Sequence, residues 1–164
     1  MFQIAKEYKG LNESSISEQY FEQGYQLLKV KAGYAKEAIV DFLYVLLNNH
    51  NLERALEVIG SEADLLKEIP DFHFVCGLIY TELAIAMPED SSMLIPMIET
   101  SYLQCLNLGG QSTKEIVNGT STYLAAYNLG IFYEFIDMKE RAKECYQFSA
   151  SHNYTLAMER LSNL

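Results

Sequence analysis

Three aromatic-x-x-Gly-x-x-apolar segments recur along this chain at a constant spacing. They are Phe21-x-x-Gly24-x-x-Leu27, Phe74-x-x-Gly77-x-x-Tyr80 and Tyr127-x-x-Gly130-x-x-Tyr133, and successive glycines lie 53 residues apart. A glycine inside a helix costs about 1 kcal/mol relative to alanine. Glycine at the same place in all three segments therefore predicts that a neighbouring helix approaches closely at Gly24, Gly77 and Gly130.

Each glycine segment lies in a stretch whose apolar residues recur every three or four residues, which predicts an amphipathic helix followed by a second one. The predicted first helices span residues 17–30, 71–86 and 121–135, and their partners span 34–47, 96–108 and 139–150. Equivalent positions of the partner helices predict one buried face. These positions are Ala38, Phe42 and Val45, then Ile98, Tyr102 and Cys105, then Ala142, Tyr146 and Ser149.

The remaining segments complete a single predicted domain, residues 1–164. Residues 51–67 read as one or two short helices and 111–120 as filler between the second and third pairs. Pro96 is expected to open its helix, because a proline in the first turn loses no hydrogen bond. Residues 153–164, with Ala157, Leu161 and Leu164 in one stripe, read as a capping helix. We expect residues 1–13 to be flexible.

Composition supports an all-α fold and limits the partners. The chain is 49% hydrophobic with only three Pro and nine Gly, and its formal net charge is −10. That charge opposes binding to nucleic acid or to anionic membrane surfaces. Three cysteines without a Cys-x-x-Cys pair indicate reduced, buried thiols. Together with the lack of a transmembrane stretch or signal peptide, this predicts a cytoplasmic protein.

The third copy, residues 126–150 (AYNLGIFYEFIDMKERAKECYQFSA), resembles a tetratricopeptide repeat. Five residues match the family's positions without a gap: Leu129, Gly130, Tyr133, Ala142 and Tyr146. Ser149 replaces the usual alanine, and Tyr154 lies near the place of the family's terminal proline. The second copy needs an insertion, AMPEDSSML, between its helices, and the first has Lys36 where alanine belongs unless two residues are inserted.

This resemblance implies antiparallel helix pairs, about 17–47, 71–108 and 121–150, stacked as a short solenoid with extra helices and a C-terminal cap. It also implies a concave groove for a protein or peptide, or for a second copy in a homodimer. The groove residues would be Phe21, Tyr25, Leu28, Phe74, Leu78, Thr81, Tyr127, Asn128, Ile131 and Glu134. Only Lys29 is available to clamp a peptide carboxylate there. The open alternative is that these rings belong to the core.

Residues 70–164 are similar to the helical C-terminal region of bacterial family 2 glycosyltransferases that carry such repeats. The similar phrases, in order, are PDFHFVCGLIYTELA, MIETSYLQCLNLGG, VNGTSTYLAAYNLGIFYE and YTLAMERLSNL. The similarity implies an interaction or dimerisation module beside a catalytic domain that moves a sugar from a nucleotide donor. The chain has no Asp-x-Asp motif, so catalysis would reside elsewhere. The alternatives are an independent adaptor or regulatory repeat protein and a helical hydrolase with an unrecognised site.

Candidate chemical groups do not combine into a catalytic, cofactor or metal site in the sequence. His73 and Cys76 lie three residues apart on one helix, but a stable metal site needs three or four ligands. Acidic pairs at 62/64, 89/90 and 134/137 fall in predicted loops or on solvated faces, where no sugar-binding cleft is expected. Gly109-Gly110 matches a helix end and not a phosphate loop, because no Lys-Ser/Thr follows.

Overall fold

We analysed a computed structural model of the chain, which describes residues 1–28, 33–109 and 117–164. The described residues are helical and include no strand, so the all-α prediction is confirmed. They cluster into two compact units, residues 1–66 and 67–164, where the sequence predicts a single domain. Residues 111–116 of the predicted filler segment, Gly110 and Lys29 lie outside the described residues.

The first unit contains four helices among its described residues: α1 (Phe2–Gly10), α2 (Ser14–Gln26), α3 (Gly33–Asn48) and α4 (Leu52–Leu66). Each helix packs against the next one in the chain. The segment expected to be flexible forms α1, which buries Ala5 and accepts a 2.8 Å hydrogen bond from the Ser17 hydroxyl at the Ala5 carbonyl oxygen. Residues 51–67, expected to hold one or two short helices, form the single helix α4.

The second unit contains five described α-helices: α5 (Pro70–Ala86), α6 (Ser91–Gly109), α7 (Ala125–Phe135), α8 (Lys139–Ser151) and α9 (Thr155–Asn163). A 3-10 turn, Pro88–Asp90, precedes α6, and a π-helical segment, Thr120–Leu124, precedes α7. Successive helices again pack on one another. The predicted capping helix is present as α9, which buries Ala157 against the unit.

The predicted start of α6 is wrong. Pro96 was expected in the first turn, but α6 begins at Ser91 and Pro96 lies inside it. Pro96 is the sixth residue of α6, so it lies past the first turn and removes one helical hydrogen bond, and Pro88 opens the preceding 3-10 turn. Most of the insertion AMPEDSSML therefore forms helix and turn.

The predicted buried face of the second helices is confirmed in all three copies. Each of its nine residues is less than 5% exposed: Ala38, Phe42, Val45, Ile98, Tyr102, Cys105, Ala142, Tyr146 and Ser149. A small residue, a ring and a small or medium residue at this spacing form one stripe along a helix. The ring of each stripe packs on the preceding helix of its pair: Phe42 on Phe21, Tyr102 on Gly77 and Tyr146 on Gly130.

Candidate functional site

The second unit carries a continuous series of aromatic ring contacts that joins α7, α8 and the start of α9. We call this series the aromatic ladder. In order of contact, its members are Phe148, His152, Tyr123, Tyr154, Tyr127 and Tyr146. Neighbouring ring centroids lie between 4.8 and 6.4 Å apart, within the range of favourable aromatic pairing. The rings therefore form one packed surface.

Local backbone features bring the rings of the ladder together. Gly119 has a φ of 87°, a left-handed conformation that favours glycine, and Thr122 leaves helical geometry with φ −133° and ψ −106°. These residues shape the π-helical segment that carries Tyr123. The Ser149 hydroxyl donates a 2.9 Å hydrogen bond to the Tyr123 carbonyl oxygen, which ties this segment to α8.

The ladder runs from the core to the surface. Its inner end is Tyr146, which is fully buried, and its outer end is formed by the exposed residues His152 and Phe148, the latter 47% exposed. Three half-buried tyrosines lie between them: Tyr123, Tyr127 and Tyr154. Half-buried tyrosines offer a rigid apolar ring together with a polar hydroxyl, and for this reason they are frequent at protein interfaces.

A charged pair borders the inner end of the ladder. The Tyr146 hydroxyl donates a 2.7 Å hydrogen bond to Glu134 Oε2, and Arg160 of α9 lies 3.3 Å from Glu134 Oε1. Burial, followed by the Glu134 carboxylate, raises the pKa of the Tyr146 hydroxyl. Tyr146 therefore remains a protonated donor at neutral pH, and the Glu134 carboxylate has two internal partners, Tyr146 and Arg160.

The ten residues of the predicted groove fall into two settings. Phe21 and Phe74 are core residues, 0% and 6% exposed. The other eight are half-buried: Tyr25, Leu28, Leu78, Thr81, Tyr127, Asn128, Ile131 and Glu134. The first three groove residues belong to the first unit and the other seven to the second.

Both buried groove rings pack against rings of neighbouring helices. Phe21 stacks on Phe42 with centroids 5.9 Å apart, and Phe74 meets Tyr102 edge-on at 6.0 Å. Phe21 and Phe74 therefore belong to the core, which is the alternative that the sequence left open for the groove rings. The ring at the first position of the glycine segment is therefore a packing residue in copies one and two. In the third copy the equivalent ring, Tyr127, reaches the surface.

Several polar groove side chains make internal hydrogen bonds. The Thr81 hydroxyl donates to the Gly77 carbonyl oxygen at 2.7 Å, and Asn128 Nδ2 donates to the Leu124 carbonyl oxygen at 2.8 Å. The Tyr25 hydroxyl donates to buried Glu62 at 2.7 Å. Burial and that carboxylate raise the pKa of Tyr25 to about 12. These groups stabilise their own units.

The first unit has an open polar cleft of about 740 Å³ between α2 and the turn that joins α3 to α4. Its carboxylates have internal partners. Glu18 accepts hydrogen bonds from the side-chain amides of Asn49 and Asn51. Glu22 pairs with Arg54 at 2.9 Å, and this hydrogen bond lowers the pKa of Glu22. All nine residues that line this cleft have polar or charged side chains.

Reactive groups are dispersed or buried. Within residues 1–28, 33–109 and 117–164, no three His, Cys, Asp or Glu side chains converge to hold a metal ion. His73 Nε2 lies 2.7 Å from the Lys67 carbonyl oxygen, and burial raises the pKa of the neighbouring Cys76 thiol. Burial also raises the pKa of Cys145 to about 11, so its thiolate is scarce at neutral pH.

Gly109 has a packing role. A Cβ atom added to it would clash with the Ser121 backbone oxygen, so the end of α6 passes directly against the segment that leads to the ladder. Lys29, too isolated in the sequence to predict a carboxylate clamp, and Gly110, the second glycine of the pair, lie outside the described residues.

Five members of the ladder were absent from the predicted groove: Tyr123, Tyr146, Phe148, His152 and Tyr154. Two spacings in the sequence point toward them, since Tyr123 and Tyr127, like Phe148 and His152, are four residues apart. The two pairs meet at the Tyr123–His152 contact, and after a turn at Asn153, whose φ is 62°, Tyr154 contacts both Tyr123 and Tyr127. The spacing of apolar residues along a helix does not predict such a contact.

No protein-family model matches the chain, and no curated protein matches its sequence. Across the described ranges, none of the helices is long and apolar enough to cross a membrane.

Proposed function

We propose that this chain is a protein-interaction module, a tetratricopeptide-like array of helices that binds a protein segment through its aromatic ladder. The observation that supports this is the partly exposed ring surface that runs from Tyr127 to Phe148. Rigid aromatic side chains supply contact area at low entropic cost, and they dominate the binding energy of many interfaces.

The expected ligand is a peptide segment with apolar or aromatic anchors. The half-buried tyrosines offer ring faces, and their hydroxyls offer hydrogen bonds to a peptide backbone. The charges of Glu134 and Arg160 neutralise each other at the inner end of the ladder. The ladder therefore selects a peptide by its shape and apolar character more than by its charge. Aromatic contact area therefore accounts for affinity in this proposal.

We further propose that the module belongs to the C-terminal region of a bacterial glycosyltransferase, where it dimerises or positions the acceptor protein. This rests on the ordered phrases between residues 70 and 164. Purified chain 1–164 should then neither hydrolyse a nucleotide sugar nor transfer its sugar to an acceptor. Turnover of a nucleotide sugar by this chain would contradict the proposal that catalysis resides elsewhere. If the full gene product has no α/β catalytic domain, the independent adaptor is the better interpretation.

Binding is tested by selecting a phage-displayed random peptide library on purified chain 1–164 and measuring enriched peptides by fluorescence anisotropy. Tyr127→Ala should weaken these peptides about tenfold or more, because a central ring is lost from the contact. The same substitution should change the free energy of unfolding by less than it changes the free energy of peptide binding, since the Tyr127 ring is only half-buried.

Phe135→Ala is the matched control, because Phe135 is 84% exposed on the same helix but lies outside the ladder. This variant should bind the selected peptides like the unmodified chain. Equal losses for Tyr127→Ala and Phe135→Ala would contradict a binding role for the ladder, as would a large loss of stability in Tyr127→Ala without a change in affinity.

Light scattering at several protein concentrations tests whether the partner is a second copy. A mass that doubles with concentration in the unmodified chain and stays monomeric in Phe148→Ser would identify the ladder as a homodimer interface.

A further inference from the structure

The three half-buried tyrosines of the ladder lie next to one another, and we call them the tyrosine row: Tyr123, Tyr154 and Tyr127. The Tyr154 ring lies between the other two, with its centroid 5.1 Å from each of theirs. Tyr123 and Tyr127 are therefore at most twice that distance apart. Each ring of the row also has a second ring neighbour, which fixes its orientation. The row is thus a preformed aromatic surface.

The hydroxyl groups of the row are available as hydrogen-bond donors. The Tyr154 hydroxyl donates to no other residue that the structure describes. The Tyr123 hydroxyl reaches the Asn118 carbonyl oxygen at 3.4 Å, which is long for a hydrogen bond between two oxygen atoms. The Tyr127 hydroxyl lies beside the Arg160 guanidinium, which has no acceptor and therefore does not use the tyrosine proton.

A ligand that matches this row carries backbone acceptors that it does not use itself. The carbonyl groups of an α-helix already accept from the N–H groups of the same helix. A polyproline II segment has no internal hydrogen bonds, so its carbonyl groups are free to accept from tyrosine hydroxyls. An extended strand has free carbonyl groups as well, but it carries N–H donors that need acceptors. Proline has no N–H group, so a proline-rich backbone matches a row of donors best.

The spacing of the row also fits a polyproline II segment. This conformation has three residues per turn and rises 3.1 Å per residue, so residues three apart lie on one face about 9 Å from each other. That distance is within the upper limit for the separation of Tyr123 and Tyr127. Two prolines at this spacing would place their apolar rings on the two outer tyrosines and the backbone between them over Tyr154.

The row and the chain itself disfavour other occupants. The tyrosine row is uncharged, and the neighbouring Glu134 carboxylate is paired with Arg160, so a charged ligand gains little there. The three prolines of this chain are isolated from one another, at Pro70, Pro88 and Pro96. A second copy therefore offers no proline-rich segment. Polyproline II is preformed in solution, so binding it costs little conformational entropy.

We propose that the tyrosine row binds a proline-rich segment of a partner protein in the polyproline II conformation, with two prolines three residues apart on Tyr123 and Tyr127 and a backbone carbonyl group at the Tyr154 hydroxyl. This inference rests on the proposed peptide-binding function of the ladder and names the class of ligand.

The first test compares peptides on purified chain 1–164 by fluorescence anisotropy. A labelled twelve-residue oligoproline should bind about tenfold more tightly than a neutral helical peptide of Ala, Leu and Gln of the same length, because only oligoproline offers free carbonyl groups and a preformed shape. A peptide with proline at every third position should also bind more tightly than one with proline at every fourth position, because only the former places its prolines on one face.

The second test removes one hydroxyl group. Tyr154→Phe keeps the ring and should weaken oligoproline about two- to tenfold, the effect of one lost hydrogen bond. Its melting temperature should not change, since this hydroxyl donates to no other described residue. Tyr34→Phe is the matched control, because Tyr34 is 65% exposed on α3 and lies outside the ladder. It should bind oligoproline like the unmodified chain.

A further control excludes adsorption to exposed apolar side chains. Met93 and Met97 are 67% and 41% exposed on α6 and do not belong to the ladder. The double variant Met93→Ser/Met97→Ser should therefore bind oligoproline normally, and a loss equal to that of Tyr154→Phe would overturn the proposal.

The outcomes separate this inference from the function on which it rests. If peptides selected from the random library bind through Tyr127 and oligoproline does not bind, the ladder keeps its proposed function and the polyproline II ligand is wrong. If neither kind of peptide binds, both proposals are wrong. Equal affinities for oligoproline and the helical peptide, or an unchanged affinity in Tyr154→Phe, would also overturn this inference.

Discussion

At the scale of single residues, the recurring glycines have the close contacts that the sequence predicts, with one change of partner. A Cβ atom on Gly77 would lie 2.6 Å from the Tyr102 ring, and one on Gly130 would lie 2.6 Å from the Tyr146 ring. In the first copy Gly24 faces the Phe2 ring of α1 at 2.9 Å, whereas the equivalent residue on its partner helix is Phe42. A close contact at each glycine is confirmed, and in the first copy α1 provides it.

Gly130→Ala should destabilise the chain by about 1–3 kcal/mol, although alanine favours a helix. The added methyl group would overlap the ring of Tyr146, which is fully buried and held by Glu134, so the ring has no room to move. Chemical denaturation followed by circular dichroism measures this change, and Gly130→Leu should cost more.

Gly60→Ala is the control for glycine in a helix. Gly60 lies within α4, where an added Cβ atom would meet no atom within 4 Å. This substitution should stabilise the first unit by about 0.5–1 kcal/mol through helix propensity. An equal gain for Gly130→Ala would contradict the close contact with Tyr146.

At the scale of elements, the segment before α7 depends on the start of α5. Asp71, in the first turn of α5, is fully buried and accepts a 3.0 Å hydrogen bond from the Val117 N–H. The Thr120 hydroxyl lies 2.8 Å from the same Asp71 oxygen, and the Cys105 thiol lies 3.3 Å from the Thr120 carbonyl oxygen. The π-helical segment is thus anchored to both helices of the preceding pair.

Asp71→Ala should destabilise the second unit by about 2–4 kcal/mol, because it leaves the Val117 N–H and the Thr120 hydroxyl without their buried acceptor. Hydrogen exchange should show faster exchange at residues 117–124 than in the rest of the unit. Thr120→Val removes only one of these donors and should cost less, about 1–2 kcal/mol. Unchanged exchange at 117–124 in Asp71→Ala would contradict the anchoring role.

The sequence predicts these elements to different degrees. Helices α5 and α8 begin and end within a residue of their predicted bounds, because their apolar spacing is regular and Pro70 marks the start of α5. The start of α6 is missed by five residues, since Pro96 gives a strong local signal for a helix start that the preceding 3-10 turn overrides. The π-helical segment is missed because it depends on the distant Asp71 carboxylate.

At the scale of the whole molecule, tyrosines combine burial with a polar partner. Among the residues that the structure describes, a Tyr–Glu hydrogen bond of 2.7 Å occurs at Tyr25–Glu62, Tyr133–Glu99 and Tyr146–Glu134. An arginine lies beside each pair: Arg54 over the Tyr25 ring, Arg141 over the Tyr133 ring and Arg160 beside Glu134. These pairs satisfy hydroxyls that packing has taken out of water, which limits the cost of burying them.

Burial of tyrosines makes the fold sensitive to alkali. Burial raises the pKa of Tyr80 from 10.0 to about 12, so the folded chain holds a proton that the unfolded chain releases. The resulting stability is present below pH 10 and is lost as the pH rises toward 12. The melting temperature should therefore fall over this interval, and the fall should be shallower in Tyr80→Phe, which has no phenol to ionise.

Tyrosinate absorbance at 295 nm, recorded beside the melting curves, provides the check. The absorbance increase that comes from the buried tyrosines should coincide with the loss of helix in the unmodified chain. If Tyr80→Phe had the same pH profile as the unmodified chain between pH 10 and 12, Tyr80 would not contribute to this transition.

The sequence by itself determined the helical class, the periodic buried faces and the close contacts at three glycines, because these follow from side-chain spacing along a helix and from the absence of a Cβ atom. It also determined the net charge that disfavours nucleic acid and anionic membranes. Only the tertiary structure decided that Phe21 and Phe74 are core while Tyr127 reaches the surface. The same holds for the joining of five further rings to Tyr127 and for the exposure of Met93 and Met97. Exposure depends on which neighbouring elements cover a side chain, and residues distant in the sequence provide that cover.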